Sequence, residues 1–260
     1  MAAKIKSPVA QKPKRVAKML ARAGLCSRRE AKRWISAGRV AVDGKTLVTP
    51  AVTVTAVNTV TVDGDPIPAA APMRLWRYHK PPGLVTSHGD PQGRPTVFER
   101  LTGTLPRVVS VGRLDLNSEG LLLLTNDGEL ARKLELPATG WTRRYRVRVH
   151  GQVDGAKLAA LAGGVEIEGI KYAGIRADLD RKQGANAWLT MALVEGKNRE
   201  IRKIMEHLEL KVNRLIRVAY GPFQLGALGS GQVDEVPQKT LAEQLGWDKA
   251  APGAHSRRKK

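Results

Sequence analysis

The sequence predicts an α+β protein: a small N-terminal module of two helices and a small sheet, then a larger domain on a mixed, mainly antiparallel sheet. Three observations predict it. Two helical stripes stand side by side near the N-terminus. Two Asp-Gly pairs then flank alternating segments. From residue 73 onward strand-like and helical patterns interleave, with several strand neighbours joined by short turns.

In chain order, residues 1–13 are basic, proline-containing and aperiodic, and are expected to form a flexible arm. Val16, Met19, Leu20 and Ala23 fall at i, i+3, i+4 and i+7, the stripe of an amphipathic helix, and Gly24 suits its C′ position. Ser27 and Glu30 have the spacing of a capping box opening a second helix. Its Trp34 and Ile35 turn inward while Arg28, Arg29, Lys32 and Arg33 have no apolar face to join. Asp43-Gly44 and Asp63-Gly64 beside "VTVTAVNTVTV" predict hairpins. The module therefore spans residues 14–68, with 69–73 as linker, a larger domain over 74–246 and a basic tail over 247–260.

In the larger domain "RLWRYHK" reads as a strand and "PPGLVTSHGDPQGRP" as a long loop. "RVVSVGRLD" leads into Leu121–Leu124, a buried strand bounded by Gly120 and Asn126. Asp127 caps a helix from near Glu129. "YRVRVHG" alternates as a half-exposed strand, "VDGAKLAALAGG" is a short helix opened by Asp154, and "AWLTMALVEG" is another strand. In "NREIRKIMEHL", Ile201, Ile204, Met205 and Leu208 share one helical face, with Arg199, Arg202 and Lys203 off it.

The 260 residues are 42% hydrophobic, enough for a substantial core. Lys and Arg number 44 against 24 acids, a net charge of +20 that favours a polyanionic partner, nucleic acid or an anionic membrane surface. No apolar stretch approaches the roughly 20 residues of a membrane span. "MAAKIKSPVAQKPKR" lacks the apolar region of a secretory signal. The single cysteine, Cys26, excludes a disulfide framework and a thiolate-rich zinc site. The cytoplasm is the expected compartment, with no membrane partner, and nothing demands a second copy of the chain, so a monomer is expected.

The five histidines are scattered singly, and neither a phosphate-cradling glycine loop nor a nucleophile elbow occurs. No metal or cofactor is expected. What stands out is Asp115, a lone carboxylate shortly before the leucine run and next but one to Arg113. Read from its residues, "GRLD" is either an Arg-Asp surface pair on a loop or a working carboxylate kept ionised by a nearby cation.

Longer stretches resemble one family. "VGRLDLNSEGLLLLTNDGELARKL" (111–134) resembles the catalytic segment of the RsuA/RluB/RluE/RluF ribosomal RNA pseudouridine synthases, nearest their RluB branch. "HKPPGLVTSHGDPQGRPTVFERL" (79–101), "RRYRVRV" (143–149) and "EGKNREIRKIMEHLELKVNRLIRVAYGPFQLGAL" (195–228) resemble that family's other motifs, in order. Residues 14–68 resemble the ribosomal-protein-S-four-like RNA-binding domain that precedes its catalytic domain.

The resemblance implies isomerisation of a uridine in ribosomal RNA, most directly of the large subunit, without a cofactor. It implies that Asp115 is the catalytic aspartate, that Arg202 pairs with it, and that Tyr145 packs on the uracil and assists the late loss of the C5 proton. Arg113 would fill the place of an extruded nucleotide or contact a phosphate. Arg28, Arg29, Lys32, Arg33 and Arg199 are expected RNA contacts. Small-subunit RNA as substrate, or a non-catalytic RNA-binding platform for ribosome assembly, are the rival readings.

Overall fold

The computed structural model describes residues 13–136 and 139–246. The tail over 247–260, and all of the arm except Pro13, lie outside the described residues. The chain divides into two compact units that part between Met73 and Arg74.

The first unit runs β1 (Lys14–Arg15), α1 (Val16–Arg22), α2 (Arg28–Ser36), β2 (Val40–Val42), β3 (Lys45–Thr46), β4 (Thr53–Val54), β5 (Val60–Val62) and β6 (Asp65–Pro66). A four-stranded sheet of order β3-β2-β5-β6 and the pair β1-β4 complete it. Val16, Leu20, Ala31, Ile35 and Val40 are fully buried in one core, as the two stripes require. Both Asp-Gly pairs have positive φ at each residue (Asp43 49°, Gly44 78°; Asp63 53°, Gly64 94°), the conformation of a two-residue hairpin turn. Ser27 accepts a hydrogen bond from Glu30 N, but the Glu30 carboxylate turns to Arg33 at 3.0 Å, so only half of the capping box forms.

The second unit runs β7 (Leu75–Lys80), α3 (Val97–Arg100), β8 (Val109–Val111), β9 (Glu119–Thr125), α4 (Gly128–Glu135), β10 (Arg143–His150), α5 (Gly155–Ala160), β11 (Val165–Ile167) and β12 (Ile170–Tyr172). It continues with β13 (Arg176–Gln183), β14 (Asn186–Leu193), α6 (Glu200–His207), β15 (Lys211–Tyr220), β16 (Phe223–Gln224), β17 (Val233–Glu235) and α7 (Gln238–Leu245). Among the described residues nine strands form one sheet whose main order is β13-β14-β10-β15-β9-β7-β17. Every pairing in it is antiparallel except β15 with β9. The mixed, mainly antiparallel sheet is as the turn spacing predicts.

All seven residues of β9 are buried, and Leu121–Leu124 are each 0% exposed. A fully buried leucine contributes about 1.5–3 kcal/mol, which makes β9 the rigid spine of the unit. Asp127 caps α4 by accepting from Glu129 N and Leu130 N, and Asp154 caps α5 from Ala156 N and Lys157 N. Along β10 burial alternates strictly, with Tyr145, Val147 and Val149 inward and Arg144, Arg146, Arg148 and His150 outward. Helices α3 and α7 and strand β13 are among the elements that the sequence reading did not anticipate. Thr96 and Glu99 of α3 form a complete capping box.

Candidate active site

Asp115 stands on the loop between β8 and β9, in the tight turn closed by Ser118 N donating to Asp115 O at 3.0 Å. The neighbouring carbonyls of this turn are held from outside it. Thr86 Oγ1 donates to Leu114 O at 2.8 Å. Gly83 N donates to Leu116 O at 2.8 Å, and Arg202 Nη2 to Asn117 O at 3.1 Å. Lys80 Nζ donates to Leu116 O at 3.3 Å and to Ser118 O at 2.8 Å. Four side- or main-chain donors thus fix the backbone that presents one carboxylate. Among the described residues that half-buried carboxylate itself has no hydrogen bond or ion pair, and is free for another molecule.

Asp115 lines a cleft of about 700 Å³ together with Arg113, Tyr145, Arg199, Arg217 and Tyr220. Pockets of this size take a nucleotide-sized ligand. The sheet places two of these side by side, because Tyr145 on β10 is directly opposite Arg217 on β15. A bulge in β15 falls at this pair, the kind of irregularity that re-aims side chains at sites. Arg217 is only 3% exposed; its Nε donates to Leu121 O at 2.7 Å, while its Nη2 is buried without a partner. A buried donor left unmet costs about 1–3 kcal/mol, and a ligand acceptor in the cleft would remove that cost.

Arg199 opens α6 in a left-handed conformation (φ 51°), strained for a residue with a side chain. The Arg202 guanidinium donates through Nη2 to Asn117 O and through Nη1 to Val212 O at 3.3 Å, while its buried Nε is unmet, and it forms no ion pair with Asp115. The pairing implied by the resemblance is thereby replaced by a strut under the Asp115 turn. Burial draws the Arg202 pKa down, Arg199 adds to the effect and Asp115 opposes it, so carboxylate and guanidinium still sense one another. Arg113 is exposed at the mouth. Arg28, Arg29, Lys32 and Arg33 belong to the other unit, where all four are exposed on α2.

Lys80, Arg217 and Glu200 are site residues that the sequence reading missed. For Lys80 the signal was present: period two in "RLWRYHK" puts it on the face of Trp76 and Tyr78, and it is 0% exposed. Glu200 is also buried, one carboxylate oxygen accepting from Lys197 N and the other unmet. Burial pushes its pKa up.

Lys80 makes the site sensitive to pH. Burial pulls its pKa down from 10.5 to about 8, against the attraction of Asp115 and Glu119. Between pH 8 and 10.5 the unfolded chain therefore binds more protons here than the folded one. The burden of a buried charge, fully present below pH 8, is relieved as pH rises through that window. Unfolding by urea at pH 7.5 and 9.5 should show wild type gaining stability relative to Lys80→Met. Equal changes in both proteins would contradict this account of Lys80.

The comparisons agree with the geometry. Residues 74–207 match the family model described as RNA pseudouridylate synthase, and residues 14–65 match the S4 domain. A Rickettsia felis protein named as an uncharacterized RNA pseudouridine synthase is 49% identical over 87% of this chain and 98% of its own. The ribosomal large subunit pseudouridine synthase B of Escherichia coli K12 is 45% identical over 80% of this chain and 74% of its own. A crystal structure of a pseudouridylate synthase superposes with a TM-score of 0.60 at 23% identity, covering 88% of this chain and 99% of that one, and so shares its fold. With a synthase model matching half of the chain, the S4 model in front and these relatives, this chain belongs to the RNA pseudouridine synthases, within their RsuA/RluB family.

Proposed function

We propose that this enzyme converts a specific uridine of large-subunit ribosomal RNA to pseudouridine, acting as a cytoplasmic monomer. The observation that carries the reading is the free Asp115 carboxylate on its clamped turn, facing a nucleotide-sized cleft with Tyr145 and Arg217. The 45% identity to a large-subunit enzyme supports the substrate.

A base within folded RNA must leave its stack before its glycosidic bond can react, at a cost of a few kcal/mol. Phosphate contacts offset that cost. Asp115 then attacks the substrate or takes a ribose proton, and either route breaks the N1–C1′ bond. The freed uracil carries the electron pair of that bond, and the unpartnered Arg217 N–H supplies a donor for a uracil oxygen as charge develops. The base turns and C5 bonds to C1′, either as the ester bond between Asp115 and C1′ breaks or as Asp115 returns the ribose proton to C2′. The C5 proton then leaves and N1 gains one, so the product is an isomer of the substrate. Tyr145 offers its ring to the extruded base and its hydroxyl to the proton leaving C5. Lys80 and Arg202 hold the Asp115 turn, and positioning of this kind is worth several kcal/mol.

Incubation with large- or small-subunit rRNA transcripts, followed by digestion and nucleoside chromatography, tests the substrate. Pseudouridine should appear in large-subunit RNA alone; its appearance in small-subunit RNA alone would reassign the enzyme.

The front unit supplies phosphate contacts through α2. Replacing Arg28, Arg29, Lys32 and Arg33 together by alanine should make the slope of log affinity against log salt shallower by about three to four. An unchanged slope by filter binding would remove α2 from the interface.

A further inference from the structure

The face of the β10 strand turned away from Tyr145 carries charge that the cleft does not use. We infer that the outward face of β13, β14, β10 and β15 is a second RNA-binding surface, gripping the sugar–phosphate backbone of folded RNA beyond the nucleotides in the cleft. This rests on the reading of the protein as an enzyme of structured RNA.

The register carries the inference. Arg181 lies opposite Trp188, Trp188 opposite Arg148, and Arg148 opposite Arg214, so one row across four strands reads Arg-Trp-Arg-Arg. The next row toward the strand end pairs Asn186 with His150 and His150 with Lys211. Arg144, Arg146, Arg148, Arg181, Lys211 and Arg214 are all exposed, and Trp188 is half-buried with the Arg146 guanidinium 4.8 Å from its ring centre.

Some of these cations have structural work. Arg214 holds Glu119 through two bonds of 2.6 and 3.0 Å, Arg144 donates to Gln224, and Arg146 lies 3.9 Å from Asp180. Arg148, Arg181 and Lys211 have neither hydrogen bond nor ion pair among the described residues. Arg148 directly faces Arg214, and like charges directly opposite weaken a sheet. The fold gains nothing from that arrangement, whereas a polyanion does. Acids on this face are few: Asp180 is engaged by Thr190 at 3.0 Å, and Asp178 by Arg176 at 2.9 Å. Unpaired cations at strand spacing around one aromatic ring fit a phosphate backbone, with the ring available to stack on a base or ribose.

The test uses the full chain, a large-subunit rRNA transcript as probe, and the variant Arg148→Ala/Arg181→Ala/Lys211→Ala. Its salt slope should be shallower by about two to three and its affinity near 0.1 M salt about ten-fold or more weaker. Its melting temperature should be unchanged or higher. Arg148→Lys/Arg181→Lys should keep the wild-type slope, which separates charge from packing. At low salt and saturating RNA the alanine variant should release C5 tritium as fast as wild type. A wild-type slope in the alanine variant overturns the second surface, whether or not turnover is seen. Absence of release from wild type instead overturns the large-subunit substrate and leaves the slope to decide the sheet face.

Discussion

Replacing Asp115 by asparagine should abolish pseudouridine formation while leaving RNA affinity within a few-fold of wild type. The change keeps the shape of the side chain and removes its basicity and nucleophilicity. The clamp on the turn uses main-chain carbonyls of residues 114 and 116–118, so it survives the substitution. A positioned general base contributes roughly 10²–10⁴-fold and the loss of a nucleophile costs at least as much. Single-turnover conversion should therefore fall by three orders of magnitude or more. Filter binding in parallel distinguishes lost chemistry from lost binding. Affinity falling in step with turnover would make Asp115 a binding residue.

Replacing Gly120 by alanine should cost several kcal/mol of stability and, with it, the site. Gly120 has φ +102°, and a Cβ there would lie 2.3 Å from Arg217 O and 2.7 Å from Arg217 N. The obstacle is backbone, which cannot swing aside. This contact belongs to the parallel pairing of β9 with β15, Glu119 with Ile216 and Gly120 with Arg217. That pairing joins the strand that follows Asp115 to the strand that carries Arg217. Strain at a special φ together with core disruption places the cost at about 3 kcal/mol or more. Gly128→Ala is the control: nothing lies within 4 Å of a Cβ at this first residue of α4, and stability should hold or rise slightly. Urea titration of both variants checks the pair, and a Gly120→Ala protein as stable as wild type would contradict this packing.

Much of this was legible because it is local. The apolar run of β9, the Asp127 and Asp154 caps, the Asp-Gly turns and the stripe of α6 depend on residues a few positions apart. The Asp115 assignment came from four motifs in order rather than from "GRLD", whose own chemistry left two readings open. What the sequence hid is long-range. Lys80 reaches Ser118, Arg202 reaches Asn117, and Arg217 meets Tyr145 only because β15 crosses to lie between β10 and β9. No spacing rule predicts those partners. Strand β13, "RADLDRKQ", is almost wholly exposed and so lacks the apolar alternation that marks a strand. Arg202 was expected to pair with Asp115, but its half-buried guanidinium donates to two main-chain carbonyls instead.

Tritium release from large-subunit rRNA transcribed with C5-tritiated uridine, wild type beside Asp115→Asn, tests the central claim most directly, because only bonding through C5 expels that label. The account predicts release by wild type alone. Equal release by the Asp115→Asn protein would contradict the role of Asp115, and silence from wild type on this RNA would contradict the large-subunit substrate.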